Sequence, residues 1–334
     1  LEIGESANLA AESQGPEHHE LIRTELDNFR AAIDWAVDHD LDLAFRLAIA
    51  LEQFWVVNDA FEGVRRLAAL LERGDDVEPV LRAQALRVYG ESRWISGDYA
   101  GGVEAMARSL ALFEEIGDER AIAIGLHRLG VGALMDGDLP RAHRLIEESL
   151  AMSRRTPDPK LEADAIGKLG SIARREGDPE RALELYEQSA FLCERIGFPW
   201  MQANAVLNSA ELSHELGRTD VAEQMTEQGL RLSVGIGDRQ LTLYSLGLLA
   251  RIARSCGDLS RAGRLWGAVE TEAARAPVGQ WEWHHDEIAQ TIVVDDPEFE
   301  SARASGHRLT LDEAVEYALA GRNEAVRTSG EMST

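Results

Sequence analysis

Residues Leu129–Ser149 read LGVGALMDGDLPRAHRLIEES. A Leu-Gly pair is followed by the turn Gly137-Asp138, an Ala five residues after the turn glycine, and a Ser seven residues later. Gly ends a helix in the left-handed conformation and the following Asp caps the next helix, so the stretch reads as two helices joined by a tight turn. Stepping outward by 40 residues returns the same landmark at Gly97-Asp98, Gly177-Asp178, Gly217-Arg218 and Gly257-Asp258. A second series lies half a period away, in IGDER at Gly117, TPDPK at Pro157, IGFPW at Gly197 and IGDRQ at Gly237. Each period therefore holds two helices of roughly 16 residues with a turn after each.

Between the turns, small residues fall into columns. One is Gly90, Gly130, Gly170, Ala210 and Ala250; another is Gly102, Ala142, Ala182, Ala222 and Ala262; a third is Ser109, Ser149, Ser189 and Gly229. A mid-helix Gly costs about 1 kcal/mol relative to Ala, so three in register require close helix approach. The apolar column Leu86, Leu126, Ile166, Val206 and Leu246 supplies a core shared by neighbouring repeats.

This layout resembles the tetratricopeptide repeat, with a 40-residue period in place of the usual 34 (HEAT-type repeats share the longer period). The fold expected is all-α, a right-handed superhelical solenoid of about six such hairpins with helical caps at both ends. The expected organisation is an N-terminal connector helix within 1–40, repeats over 41–276, a C-terminal helical cap over 277–320 and a polar tail over 321–334. Residues 17–38 read as one amphipathic helix with Leu21, Leu26, Phe29, Ile33 and Val37 on its apolar side. Residues 41–77 read as a degenerate first repeat in which Val57-Asn58 replaces Gly-Asp, and Thr310 with Glu313 marks the start of a last helix.

Acidic residues number 59 against 34 basic ones, giving a formal charge of −25. Phosphate backbones are repelled by such a surface, so direct nucleic-acid binding is not expected. All basic residues except Lys160 and Lys168 are Arg, which suits bidentate contacts to carboxylate or phosphate. Cys193 and Cys256 lack any metal or redox spacing and read as buried thiols of a reducing compartment. No apolar run reaches the length of a membrane span, and the first residues lack a signal pattern, so a cytoplasmic protein without membrane contact is expected. A start at Leu1 suggests a piece of a longer chain.

The segments ELDNFRAAIDWA, LAFRLAIALEQFW, FEGVRRLAALLERG, RAGRLWGAVE and ASGHRLTLDEAVEYAL, together with the repeats, resemble the carboxy-terminal region of actinobacterial STAND-class ATPase transcriptional regulators. That resemblance implies a sensor arm that partners an upstream ATPase module. A free-standing scaffold for protein–protein interaction is the alternative.

Catalytic chemistry is not expected. No GxxxxGK[ST] loop or GxSxG occurs, and no cofactor is implied. Trp281 to Glu287 (WEWHHDE) gathers two His and three carboxylates, the basis of a remote metal-dependent-enzyme alternative. Adjacent His284 and His285 point to different helix faces, against the three- or four-residue spacing of helical zinc ligands. Glu17, His18, His19 and Glu20 read as an exposed helix start.

In tetratricopeptide arrays the first helix of each hairpin lines the concave side. Transferring that geometry selects Arg87, Glu91, Trp94, His127, Arg174, Arg175, Glu211, His214, Glu215, Arg251 and Arg254, with Tyr244 as a further flat surface. Arginines on such a face suggest a protein or peptide partner, or a small anionic ligand.

Overall fold

A computed structural model describes residues 16–74, 76–275 and 288–320, with side chains from residue 24 onward except 53, 57 and 58. The described residues form helices and turns with no strand. The WEWHHDE segment, residues 1–15 and the tail over 321–334 lie outside them. The chain divides into two compact units, Leu1–Glu176 and Gly177–Thr334.

The first unit begins with α1 (Pro16–His39), α2 (Leu41–Ala50), α3 (Glu52–Asn58) and α4 (Ala60–Arg73). α1 lies along α4, joined by Arg30–Glu62, Arg66–Asp34 at 2.7 Å and Arg73–Asp38 at 3.1 Å. Hydrogen bonds from Arg30 and Arg66 hold the Glu62 carboxyl at about 2, against the opposing effect of its burial. Ile33, Phe45, Leu51, Trp55, Leu67 and Leu70 fill the interior, where Trp55 Nε1 donates to Ala48 O at 2.9 Å. The helix expected over the first half of this degenerate repeat is interrupted at Leu51, and the turn falls one residue later than its repeat register, with Asp59 capping α4.

Regular hairpins follow: α5 (Pro79–Ile95) with α6 (Tyr99–Ile116), then α7 (Glu119–Met135) with α8 (Leu139–Arg155), then α9 (Pro159–Glu176) on α8. The second unit holds α10 (Pro179–Ile196), α11 (Pro199–Glu215), α12 (Thr219–Gly235), α13 (Arg239–Ser255) and α14 (Leu259–Arg275) in the same alternation. α15 (Pro297–Gly306) and α16 (residues 311–320) follow. The 40-residue period arises because helices of 17 or 18 residues alternate with turns of two or three.

The turns follow the chemistry of their residues. Gly97, Gly117, Gly137, Gly177, Gly197, Gly217, Gly237 and Gly257 all adopt positive φ. The Asp after the turn accepts a backbone N–H from the third residue on, as in Asp118–Ala121 at 3.0 Å and Asp238–Leu241 at 2.8 Å. Its own N–H closes a Schellman-type bond to the preceding helix, as in Asp138 to Ala133 O at 2.9 Å. At Phe198 and Arg218, where Asp is missing, the side-chain cap is missing as well.

Every member of the three small-residue columns is buried. A Cβ on Gly90 would lie 2.9 Å from Gly102 O, and one on Gly102 would lie 2.8 Å from Gly90 O, so α5 and α6 touch backbone to backbone. The serine column ties second helices to first: Ser109 Oγ donates to Ala83 O at 2.7 Å and Ser149 Oγ to Ala123 O at 2.8 Å. α14 and α15 approach as closely, because Cβ atoms on Gly263, Gly267 and Gly306 would meet the facing carbonyls of Phe299, Arg303 and Arg264 within 2.4 Å. Trp266, Phe299, Ala314 and Ala318 are buried in the adjoining core.

Candidate functional site

The first-helix positions carry two different arrangements, one in each unit. In the first unit the charges on α5 and α7 are spent on one another and on Glu52. Arg87 on α5 donates through Nη2 to Glu52 on α3 at 2.7 Å and through Nη1 to Glu91, one turn further along α5, at 3.4 Å. Glu91 also receives Arg128 Nε from α7 at 3.1 Å. Burial opposes ionisation of Glu52, yet the charge and hydrogen bonds of Arg87 hold its carboxyl below the ordinary value. Neighbouring carboxylates likewise raise the Arg87 and Arg128 guanidinium groups.

His127 is buried on α7, with Nε2 3.3 Å from Asp164 Oδ2 on α9, an approach without hydrogen-bond alignment. Burial drives the imidazole down to about 4 in spite of the Asp164 charge. It is therefore neutral near pH 7. Asp164 is paired with Lys168 at 3.7 Å; burial opposes its ionisation, and the charges of His127, Lys168 and Arg128 carry it below the usual range. Trp94 is half-buried at the end of α5 and meets Tyr99 edge-on at 5.5 Å. Arg174 is half-buried near the end of α9, while Arg175, otherwise exposed, donates through Nη1 to Leu134 O.

In the second unit the same register places Glu211, His214 and Glu215 on α11 opposite Arg251 and Arg254 on α13. Arg251 Nη2 donates to Glu211 Oε1 at 3.0 Å across the 40-residue step. Arg251 Nε, Arg254 Nε and His214 Nδ1 are each shut off from solvent without a hydrogen-bond partner among the described residues. Burial, followed by the charge of Arg251, lowers the His214 imidazole below its ordinary value. Tyr244 is half-buried on α13, two to three turns before these arginines, and packs against the surrounding apolar clusters.

The structure thus brings Arg87, Glu91 and His127 onto adjoining helices of one unit, and Glu211, His214, Arg251 and Arg254 onto adjoining helices of the other. The members that motif reading does not select are Glu52, Arg128, Asp164 and Lys168. Their signal was the recurrence of opposite charges one period apart or on flanking rows, a pattern visible only once the face is known. Among the described residues no group of three His, Cys, Asp or Glu side chains could hold a metal ion, and no helix is long and apolar enough to cross a membrane. Cys193 is buried as expected; Cys256, expected buried, is exposed at the C-cap of α13, where the helix ends in the turn at Gly257.

Comparison with known proteins agrees with this architecture. The tetratricopeptide repeat family matches residues 165–192, which span most of α9 and α10. No curated protein matches the chain. Among solved structures, a Rap protein complexed with competence and sporulation factor superposes with a TM-score of 0.64 at 13% identity, over 95% of this chain and 96% of that one. Cut9 with Hcn1, from the APC/C hetero-tetramer, gives 0.60 at 17% identity, over 86% of this chain and 48% of that one. The Rap conjugation gene regulator of plasmid pLS20, in complex with the Phr* peptide, gives 0.56 at 11% identity over 78% and 80%. At these identities the likeness is one of fold, and the chain is built from consecutive helical hairpins of the tetratricopeptide type.

Proposed function

We propose that this chain is a non-catalytic binding scaffold whose first-helix faces receive a protein or peptide, and that it serves as the sensor arm of a STAND-type ATPase transcription regulator. The carrying observation is a contrast between rows of the same helices. The packing rows keep small or apolar residues from repeat to repeat, whereas the row Glu91, Val131, Ser171, Glu211 and Arg251 changes size and charge at each step. A self-supporting wall has no need of such variation, and a surface that reads one partner does. Two structural neighbours were solved with a bound factor or peptide, which suits a peptide partner here.

The regulator context rests on the flanking segments DNFRAAIDWA and GHRLTLDEAVEYAL. In that setting a partner that binds better to the released arm than to the docked one shifts the switch toward release. The free-standing scaffold keeps the same binding face and lacks the ATPase. Coding sequence upstream of Leu1 separates the two, since a phosphate-binding loop there supports the regulator.

The face itself is tested by titrating a peptide panel against Arg174→Ala and Arg251→Ala variants. Weakened binding in either is expected. Unchanged affinity in both, with loss on replacing exposed residues of the second helices such as Arg108 or Phe191, would place the partner on the opposite side.

A further inference from the structure

The end of α10 and the start of α11 break the repeat at the surface, where packing does not require it. One outward position of the second helices holds Ala111, Ala151 and Arg231 in other repeats and Phe191 in α10. At the following helix start Asp118, Asp158 and Asp238 cap through their side chains, whereas Phe198 stands there before α11 and the side-chain cap is lost. Two residues on, Arg120, Lys160 and Gln240 give way to Trp200. Phe191 is 61% exposed and Trp200 39%. Single exposed apolar side chains are ordinary, but an aromatic cluster that displaces a helix cap marks a contact surface.

The cluster is held in place by its neighbours. Trp200 Nε1 donates to Asp238 Oδ2 at 3.0 Å, the Phe198 and Trp200 rings lie 6.5 Å apart, and the Arg195 guanidinium sits over the Phe191 ring at 5.8 Å. Side chains fixed before a partner arrives lose little freedom on binding.

Charge decides what kind of partner fits. Glu187 and Glu194 stand about one turn before and after Phe191 on the same stripe of α10, both exposed and with no cation paired to them among the described residues. Two turns of helix separate them, about 10 Å along the axis. We propose that this stripe of α10, continued by Phe198 and Trp200, docks a basic amphipathic helix of a partner protein. A helix laid along α10 presents the same face every two turns, so cations at that spacing meet Glu187 and Glu194 while apolar residues between them close on Phe191. A second copy of this chain fits less well, because it brings the same unpaired carboxylates and a formal charge of −25 against the stripe. The surface shares no residue with the first-helix face and does not rest on it.

The test is a displayed library of helical peptides about six turns long, randomised on one face and selected on the immobilised full chain, with the strongest binder then titrated. Enrichment of Lys or Arg two turns apart, with apolar residues between, is expected. Affinity should fall about tenfold or more in Phe191→Ser, and about tenfold in Glu187→Gln combined with Glu194→Gln, where added salt should also weaken binding less than in the unsubstituted chain. These side chains are exposed, so folding is not at stake, and unchanged helical circular dichroism verifies it. Arg174→Ala and Arg251→Ala should leave this binder unaffected, which separates the surface from the first-helix face. Neutral or acidic binders, a basic binder indifferent to Phe191→Ser, or no enriched peptide would overturn the proposal and leave the first-helix reading standing. A chain that sediments as a dimer and becomes monomeric in Phe191→Ser would overturn it too, by giving the stripe to a second copy. A binder weakened by Arg251→Ala and not by Phe191→Ser would support the first-helix face and overturn this one.

Discussion

Replacing Gly90 by Ala sets two effects against each other, and the structure decides the sign. On helix propensity alone the change stabilises by about 1 kcal/mol, because Gly is the poorer helix former. Yet the new methyl carbon would stand 2.8 Å from Met106 Cγ, 2.9 Å from Gly102 O and 3.1 Å from Met106 N. Two of those atoms are backbone and cannot be relieved by a rotamer change. Overpacking of this kind costs about 1–3 kcal/mol, which leaves a net loss of roughly 1 kcal/mol at the middle of that range. Gly235 is the control: it closes α12, has negative φ, and a Cβ there meets nothing within 4 Å. Gly235→Ala should be neutral or stabilise by up to about 1 kcal/mol. Because repeat arrays open locally, both urea unfolding and amide hydrogen exchange are needed, with faster exchange expected in α5 and α6 of Gly90→Ala alone. If Gly90→Ala raises stability as much as Gly235→Ala, the backbone contact between α5 and α6 is not as close as described.

Ala182 is wholly buried in its column, so Ala182→Leu should lower the melting temperature clearly, by about 1–3 kcal/mol of stability, while Arg175→Ala loses a single hydrogen bond worth about 1 kcal/mol. Equal melting temperatures would contradict the column's role. His127 has its folded value depressed from 6.5 to about 4, so its contribution is fully present above pH 6.5 and is lost as pH falls toward 4, by about 3 kcal/mol in all. His127→Gln should flatten the pH dependence of urea stability in that window, and an identical slope in the two proteins would count against a neutral buried imidazole. The isolated chain should neither hydrolyse ATP nor retain duplex DNA at physiological salt, given its charge of −25 and missing phosphate loop. A micromolar DNA affinity that weakens steeply with salt would reverse that expectation.

The repeat architecture was legible in the sequence because its signals are local. A left-handed turn demands Gly, the following helix start favours Asp, and two helices in contact demand small residues at one fixed step, so Gly137-Asp138, Ala142 and their counterparts report their own conformations. The interruption at Leu51 and the close passage of α14 and α15 were not read, although Gly263 and Gly267, four residues apart in RAGRLWGAVE, carried a signal for the second. The candidate face was legible only as a set of positions. Whether an arginine on it is committed or available depends on which carboxylate the neighbouring repeat places within reach, a property of two helices at once. Sequence alone therefore determined the period, the turns and the rows that pack. Tertiary structure decided that Arg87 is held by Glu52 and Glu91 while Arg254 is left without a carboxylate, because Coulombic pairing falls off over a few ångströms and those distances exist only after the helices have stacked.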